Sequence, residues 1–232
     1  AEQTRQELLV WTDSSVYSLQ YVGAPAVWAA QLVGENSSIV SQNSVAVADN
    51  VAYWFGKDKF YMYDGGVKVL PCDVKRYVFR DMNRDNIEQI FGSTNEGFDE
   101  IWWFYPSSNS DTNDRYVVYN YVQKIWYYGN LARTAWIDSG IGDSPVAATN
   151  SNNLVQHEVG LDDAETGTTV PIVASITSAQ FDLDDGHKFM LVSRMVPDIT
   201  FDGSTASSPI SSSVTRRSGR RTSHALRRRS AV

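Results

Sequence analysis

Five carboxylates stand where this sequence could do hydrolytic chemistry: Asp99 with Glu100, Asp138, and Asp162 with Asp163. A glycosidase needs two such groups set across one sugar. Asp99 and Glu100 adjoin on a predicted strand, so their side chains point to opposite faces and read as a solvated strand face. His157-Glu158 is a lone pair on a strand and reads as a packed or hydrogen-bonded side chain rather than an acid–base pair. Asp182-Leu183-Asp184-Asp185-Gly186 hints at a calcium loop, but its glycine falls one place early and Ser193 stands where the bidentate glutamate belongs. It reads as a hairpin turn. Asn36-Ser37-Ser38 matches a glycosylation sequon, but such tripeptides are common by chance and nothing else in the sequence suggests secretion.

Nucleophile elbows, Walker loops, dinucleotide fingerprints and His-Glu-x-x-His are missing from the chain. His157, His187 and His224 are scattered, so spacing assembles no zinc site. The single cysteine, Cys72, excludes an intramolecular disulfide. The expectation is a protein without catalytic residues, metal or cofactor.

Aromatic groups are the other chemistry-bearing feature: Tyr53-Trp54-Phe55, Trp102-Trp103-Phe104-Tyr105 and Trp126-Tyr127-Tyr128. They could stack sugar rings. Consecutive strand residues face opposite sides, so aromatics on both faces imply that both are covered. Trp54, Trp102, Trp103, Trp126 and Tyr128 are therefore assigned to core, blade contacts or subunit contacts in preference to a sugar platform.

The elements that must position these groups are strands. Of 232 residues, 42% are hydrophobic and 12% aromatic, enough for a core and too many for a disordered chain. No apolar run nears the roughly 20 residues of a membrane-spanning helix. Leu8–Tyr21, Val45–Phe55, Phe98–Val122 and Val146–Val159 repeat a loose unit, strand–turn–aromatic strand, with starts 37, 53 and 48 residues apart. That spacing fits the four-stranded blades of a β-propeller, although a β-sandwich meander gives similar spacing. Lys59–Tyr63 and Val67–Leu70 pair around Asp64-Gly65-Gly66, and Lys124–Tyr128 and Thr134–Ile137 are further strands. Only Asn83–Ile90 has helix-compatible spacing. The fold class expected is all-β: a partial propeller-like meander of antiparallel hairpins over 1–160, a linker over 161–171, the start of a small sandwich-like β-region over 172–202, and a disordered Ser/Arg-rich tail over 203–232.

Charge divides the same way. The net charge is −7, yet no acidic residue follows Asp202, and seven arginines do. Residues 1–202 hold 13 Lys+Arg against 27 Asp+Glu, a net −14. The body should repel nucleic acid and the tail attract it.

Glu7–Tyr21 (ELLVWTDSSVYSLQY), Val45–Gly56 (VAVADNVAYWFG), Lys59–Pro71 (KFYMYDGGVKVLP), Asn95–Tyr105 (NEGFDEIWWFY) and Asp114–Gly129 (DRYVVYNYVQKIWYYG), with Val196–Phe201 (VPDITF), resemble in pattern and order the tail hub, nozzle or packaged-DNA-stabilisation proteins of short-tailed bacteriophages. The resemblance covers roughly residues 5–202 and includes no catalytic motif. It implies a virion protein, made in the host cytoplasm, that self-associates as a sixfold propeller ring beneath the portal and tail adaptor. The ring would retain packaged DNA and guide its ejection, touching DNA only in transit and without sequence preference. Such members carry leading blades, so this chain is expected to be a C-terminal piece, with Thr215–Val232 an out-of-frame or divergent extension. Uncovered blade faces would then make it prone to aggregate. A DNA conduit should not grip phosphates, so Asp111, Asp114, Asp162 and Asp163 are expected to line an acidic channel. The competing expectation is a carbohydrate-binding propeller, in which an exposed indole sits beside hydrogen-bonding carboxylates. A glycosidase, or DNA binding through the arginine tail, ranks below both.

Overall fold

In the computed structural model, the described residues are 1–5, 7–139, 142–160 and 162–172. Contacts divide the chain into two units, Ala1–Gly160 and Leu161–Val232. The fold is all-β, built from small open antiparallel sheets in which each strand pairs with its neighbours in sequence.

The first sheet holds β1 (Glu2–Gln3), β2 (Leu8–Trp11), β3 (Ser15–Tyr21) and β4 (Trp28–Glu35). The second holds β5 (Val45–Ala48), β6 (Val51–Phe55), β7 (Phe60–Tyr63) and β8 (Val67–Leu70). The third holds β9 (Phe91–Asn95), β10 (Glu100–Tyr105), β11 (Arg115–Asn120) and β12 (Ile125–Asn130). The fourth has three strands, β13 (Ala135–Ile137), β14 (Val146–Ala148) and β15 (Leu154–Gln156). First strands begin at Glu2, Val45, Phe91 and Ala135, separations of 43, 46 and 44 residues. The true period is more even than the 37, 53 and 48 read from the sequence, because β1, β9 and β13 open their sheets before the segments taken as starts.

Turn chemistry sets the hairpins. Asp49 and Asn50 both have positive φ, the type I′ geometry that matches strand twist and that short Asx side chains tolerate. The Asn50 side-chain oxygen also accepts the Arg5 backbone N–H at 2.7 Å, which ties the N-terminal segment to the second sheet.

The sheets pack face to face in chain order. Leu9 and Val16 of the first sheet share a buried cluster with Val45, Ala52, Trp54, Tyr61 and Tyr63 of the second. A second cluster joins Tyr53, Phe55 and Phe60 to Ile101, Trp103, Tyr105 and Val117 of the third sheet.

Two helical segments join the second and third sheets. Helix α1 (Lys75–Asp81) was not anticipated: its one buried side chain, Val78, gives no amphipathic period, and its N-cap Val74 makes no side-chain cap. The helix expected over Asn83–Ile90 is a 3₁₀ segment, Arg84–Gln89, kinked at Asn86. Asn83 caps it by accepting the Asp85 N–H at 2.9 Å. In the second unit, part of the expected linker pairs as β16 (Asp162–Asp163) with β17 (Val170–Pro171). The expected sandwich start and tail lie outside the described residues from 173 onward.

Candidate functional site

The polar groups with most chemical potential sit where sheets meet. Glu7 joins the first two sheets: one carboxylate oxygen accepts the Tyr63 hydroxyl at 2.8 Å, and the other accepts Ser18 and, at 3.2 Å, Gln20. Burial works to raise this carboxyl, but the three hydrogen bonds outweigh it and hold it below its ordinary value. Tyr63 is pushed up to about 12, first by burial and then by its bond to Glu7.

Glu100 has the opposite balance. It accepts the Trp102 indole N–H at 2.8 Å, the Asn95 amide at 3.4 Å and the Tyr127 hydroxyl. Burial nevertheless raises its carboxyl above the ordinary value, helped by nearby Glu158 and Asp99. Asp99 lies apart in a left-handed turn, where its backbone carbonyl takes the Tyr121 N–H at 3.0 Å. Asp138 clamps the fourth sheet to the third, accepting the Thr94 hydroxyl at 2.7 Å and the Glu96 N–H at 2.9 Å. These acids are structural acceptors.

The indoles behave similarly. Trp103 is fully buried and donates to the Ser44 carbonyl at 3.0 Å. Trp126 donates to the Pro71 carbonyl at 2.7 Å and lies 4.7 Å from the Phe60 ring, bridging the second and third sheets. Trp102 stacks on Trp136 at 5.3 Å, bridging the third and fourth. Trp54 is fully buried between Trp11 and Tyr61, its indole N–H without a partner. Tyr128 is exposed and stacks on exposed Tyr77 at 4.1 Å. Sequence reasoning missed Glu7, Trp11, Tyr77 and Trp136. Trp136 carried a usable signal, a tryptophan on a short strand two residues before Asp138.

The four expected channel carboxylates fall in different places. Asp111 and Asp114 share the loop between β10 and β11, whereas Asp162 and Asp163 belong to the second unit. Asp111, Asp162 and Asp163 are exposed. Asp114 is engaged within its loop, accepting the Ser107 N–H at 2.7 Å and its hydroxyl at 2.8 Å.

Two clefts open on the first unit. One, about 420 Å³, runs past Trp11, Asp13, Ser41 and Lys57. The other, about 520 Å³, lies along α1 beside Cys72, Asp73, Arg76 and Arg80. Each brings a single carboxylate, so neither presents the facing pair that glycoside hydrolysis requires. Burial pushes the Cys72 thiol up to about 12, which leaves it a poor nucleophile. His157 packs against Trp136 at 4.6 Å and accepts a hydrogen bond from the Arg133 guanidinium at 2.9 Å. Among the described residues no three His, Cys, Asp or Glu side chains gather as a metal site, and no helix is long and apolar enough to cross a membrane. No protein-family model and no curated protein matches the chain.

Proposed function

We propose that the chain is a non-enzymatic structural subunit of a bacteriophage tail, the hub or nozzle that closes the portal channel, retains packaged DNA and guides its ejection. It works in the virion as a ring of copies, sixfold in the family it resembles, between portal or adaptor and the other tail proteins. The observation that carries this reading is where the chemistry has gone. Glu7, Glu100 and Asp138, with the indoles of Trp102, Trp103 and Trp126, are engaged by groups within or between sheets. Groups engaged in this way stiffen the stack of sheets, which suits a conduit that must hold its shape. The sequence resemblance to hub and nozzle proteins supplies the class of assembly, and the net −14 over residues 1–202 suits a surface that DNA must slide past.

Light scattering on the purified chain, with and without duplex DNA and a panel of oligosaccharides, tests the proposal. An assembly indifferent to both is expected. A stable monomer that binds sugar would overturn it in favour of a carbohydrate-binding propeller.

A further inference from the structure

The first sheet buries one face and leaves the other in water. Glu7, Leu9 and Trp11 turn toward the second sheet, so by strand alternation Leu8 and Val10 turn away from it. Pairing adds Tyr17 opposite Leu32, Leu19 opposite Ala30 and Tyr21 opposite Trp28 on that outward face. Tyr21 is 69% exposed, Trp28 59% and Tyr17 36%. At ~200 Å² per aromatic side chain these three leave about 300 Å² of aromatic surface in water. That alone reaches the size of the largest apolar patch on an ordinary monomer, before Val22, Val27 and Leu32 are counted. The chain carries no charged residue from Ser14 to Gly34, a run of 21, inside a body of net −14.

The fourth sheet leaves a matching face. Trp136 and Ala147 turn toward the third sheet, so Ile137, Val146, Ala148 and Leu154 turn outward, with Ile137 54% and Leu154 78% exposed. Between these two ends, three successive sheet-on-sheet contacts are filled by the same kind of apolar face.

We infer that the outward face of the first sheet is a docking surface for a second copy of this chain, which brings the outward face of its fourth sheet. The contact repeats between copies what the sheets already do within one. It is head-to-tail, each copy using two different faces, an arrangement that closes into a ring when the rotation between copies divides a full turn and runs on as a filament when it does not. Its neutrality brings no like-charged side chains of the two acidic copies together at the contact. The inference deepens the proposed function by giving the ring its contact and rests on that reading for ring closure, whereas the pairing of the two faces stands on the exposed residues.

Charge insertion with mixing tests it. Trp28→Lys and Leu154→Lys change exposed side chains, so far-ultraviolet circular dichroism and the melting temperature should stay close to those of the wild type. Each variant alone should be monomeric by light scattering at concentrations where the wild type assembles. Mixed one to one, they should form a heterodimer and nothing larger, because one intact face remains on each. Trp28→Lys abolishing assembly while Leu154→Lys leaves it intact would overturn the inference in favour of a symmetric contact through the first sheet alone. A wild-type chain that stays monomeric at 100-fold dilution series from its solubility limit would overturn it too. Wild-type assemblies that obey the mixing rule yet bind oligosaccharide would sink the tail reading and leave this contact standing.

Discussion

Gly92 and Trp103 sit opposite each other in the β9–β10 ladder and offer a sharp test of how the second and third sheets are locked. The Trp103 indole passes over Gly92 to reach the Ser44 carbonyl, and Phe60 and Trp126 hold its ring at centroid distances of 5.1 and 6.0 Å. A methyl group placed on Gly92 would lie 2.9 Å from Trp103 Nε1 and 3.0 Å from its Cδ1. The indole cannot retreat without breaking its hydrogen bond and both ring contacts. Gly92→Ala should therefore cost about 1–3 kcal/mol, the usual range for overpacking. Trp103→Ala should cost about 3–5 kcal/mol, nearly all of it packing. The Ser44 carbonyl keeps the Phe55 N–H at 3.1 Å, so that loss orphans no acceptor. With the indole gone, only the Ser44 backbone carbon at 3.3 Å still presses on the methyl group, a contact that a shift of a few tenths of an ångström relieves, and replacing a strand glycine gains about 0.5–1 kcal/mol. The double variant should thus be no less stable than Trp103→Ala alone, a coupling of about 2–3 kcal/mol. Urea unfolding of all four chains, followed by tryptophan fluorescence, measures it. Additivity within about 0.5 kcal/mol would show that the indole does not occupy the space above Gly92, and the account of this joint would fail.

Two further outcomes follow from the shifted acids and the thiol. Glu7 binds protons less readily when folded, so its stabilising contribution is present above its ordinary value of 4.5 and is lost as pH falls through the lower folded value. Glu100 binds protons more readily when folded, so acidification relieves it, beginning above 4.5. Urea midpoints between pH 3 and 6 should then fall less steeply with acid in Glu7→Gln and more steeply in Glu100→Gln than in the wild type; identical slopes would refute both assignments. Cys72, raised to about 12, should react with Ellman's reagent at pH 8 at least 10-fold more slowly in the folded chain than in urea. Equal rates would mean that the thiol is not buried as described.

Hairpins bounded by strong turn signals were legible in the sequence. Asp49-Asn50 and Asp64-Gly65-Gly66 fixed β5 to β8, because positive φ leaves few residue types to choose from. Strands built from small or polar residues were not. Strand β4 reads WAAQLVGE and β9 reads FGSTN; neither alternates cleanly, and both owe their extended state to neighbours that supply a ladder. Gly92 looks like a strand breaker until Trp103 is laid over it. The candidate site was legible by residue type and not by partner. Trp54, Trp102, Trp103 and Trp126 were assigned to contacts because a strand with aromatics on both faces needs cover on both. That Trp103 reaches Ser44, 59 residues away, and Trp126 reaches Pro71, 55 away, is set by sheet stacking, which local pattern does not encode. The carboxylates misled for a related reason: Glu100 and Asp138 looked free because their partners are an indole, hydroxyls and backbone amides distributed over several strands.

Charge gives the contact between copies a distinctive response to salt. Residues 1–202 carry a net −14 and the whole chain −7, so two copies feel a net repulsion that added salt screens. The screening length shortens from about 10 Å at 0.1 M to about 3 Å at 1 M. An uncharged face such as Tyr17–Leu32, Leu19–Ala30 and Tyr21–Trp28 has no attractive ion pairs to lose in exchange. Assembly should therefore strengthen as sodium chloride rises from 0.05 to 0.5 M, read as an increasing weight-average mass at fixed protein concentration. The obvious alternative responds in the opposite sense. Seven arginines after Asp202 could hold the acidic body of a neighbouring copy, and that attraction would dissolve as salt rises. A mass that falls with salt would assign self-association to the arginine segment and refute the apolar contact. Replacing the seven arginines with serine separates the two a second way, because the segment's removal should leave the salt-strengthened assembly in place.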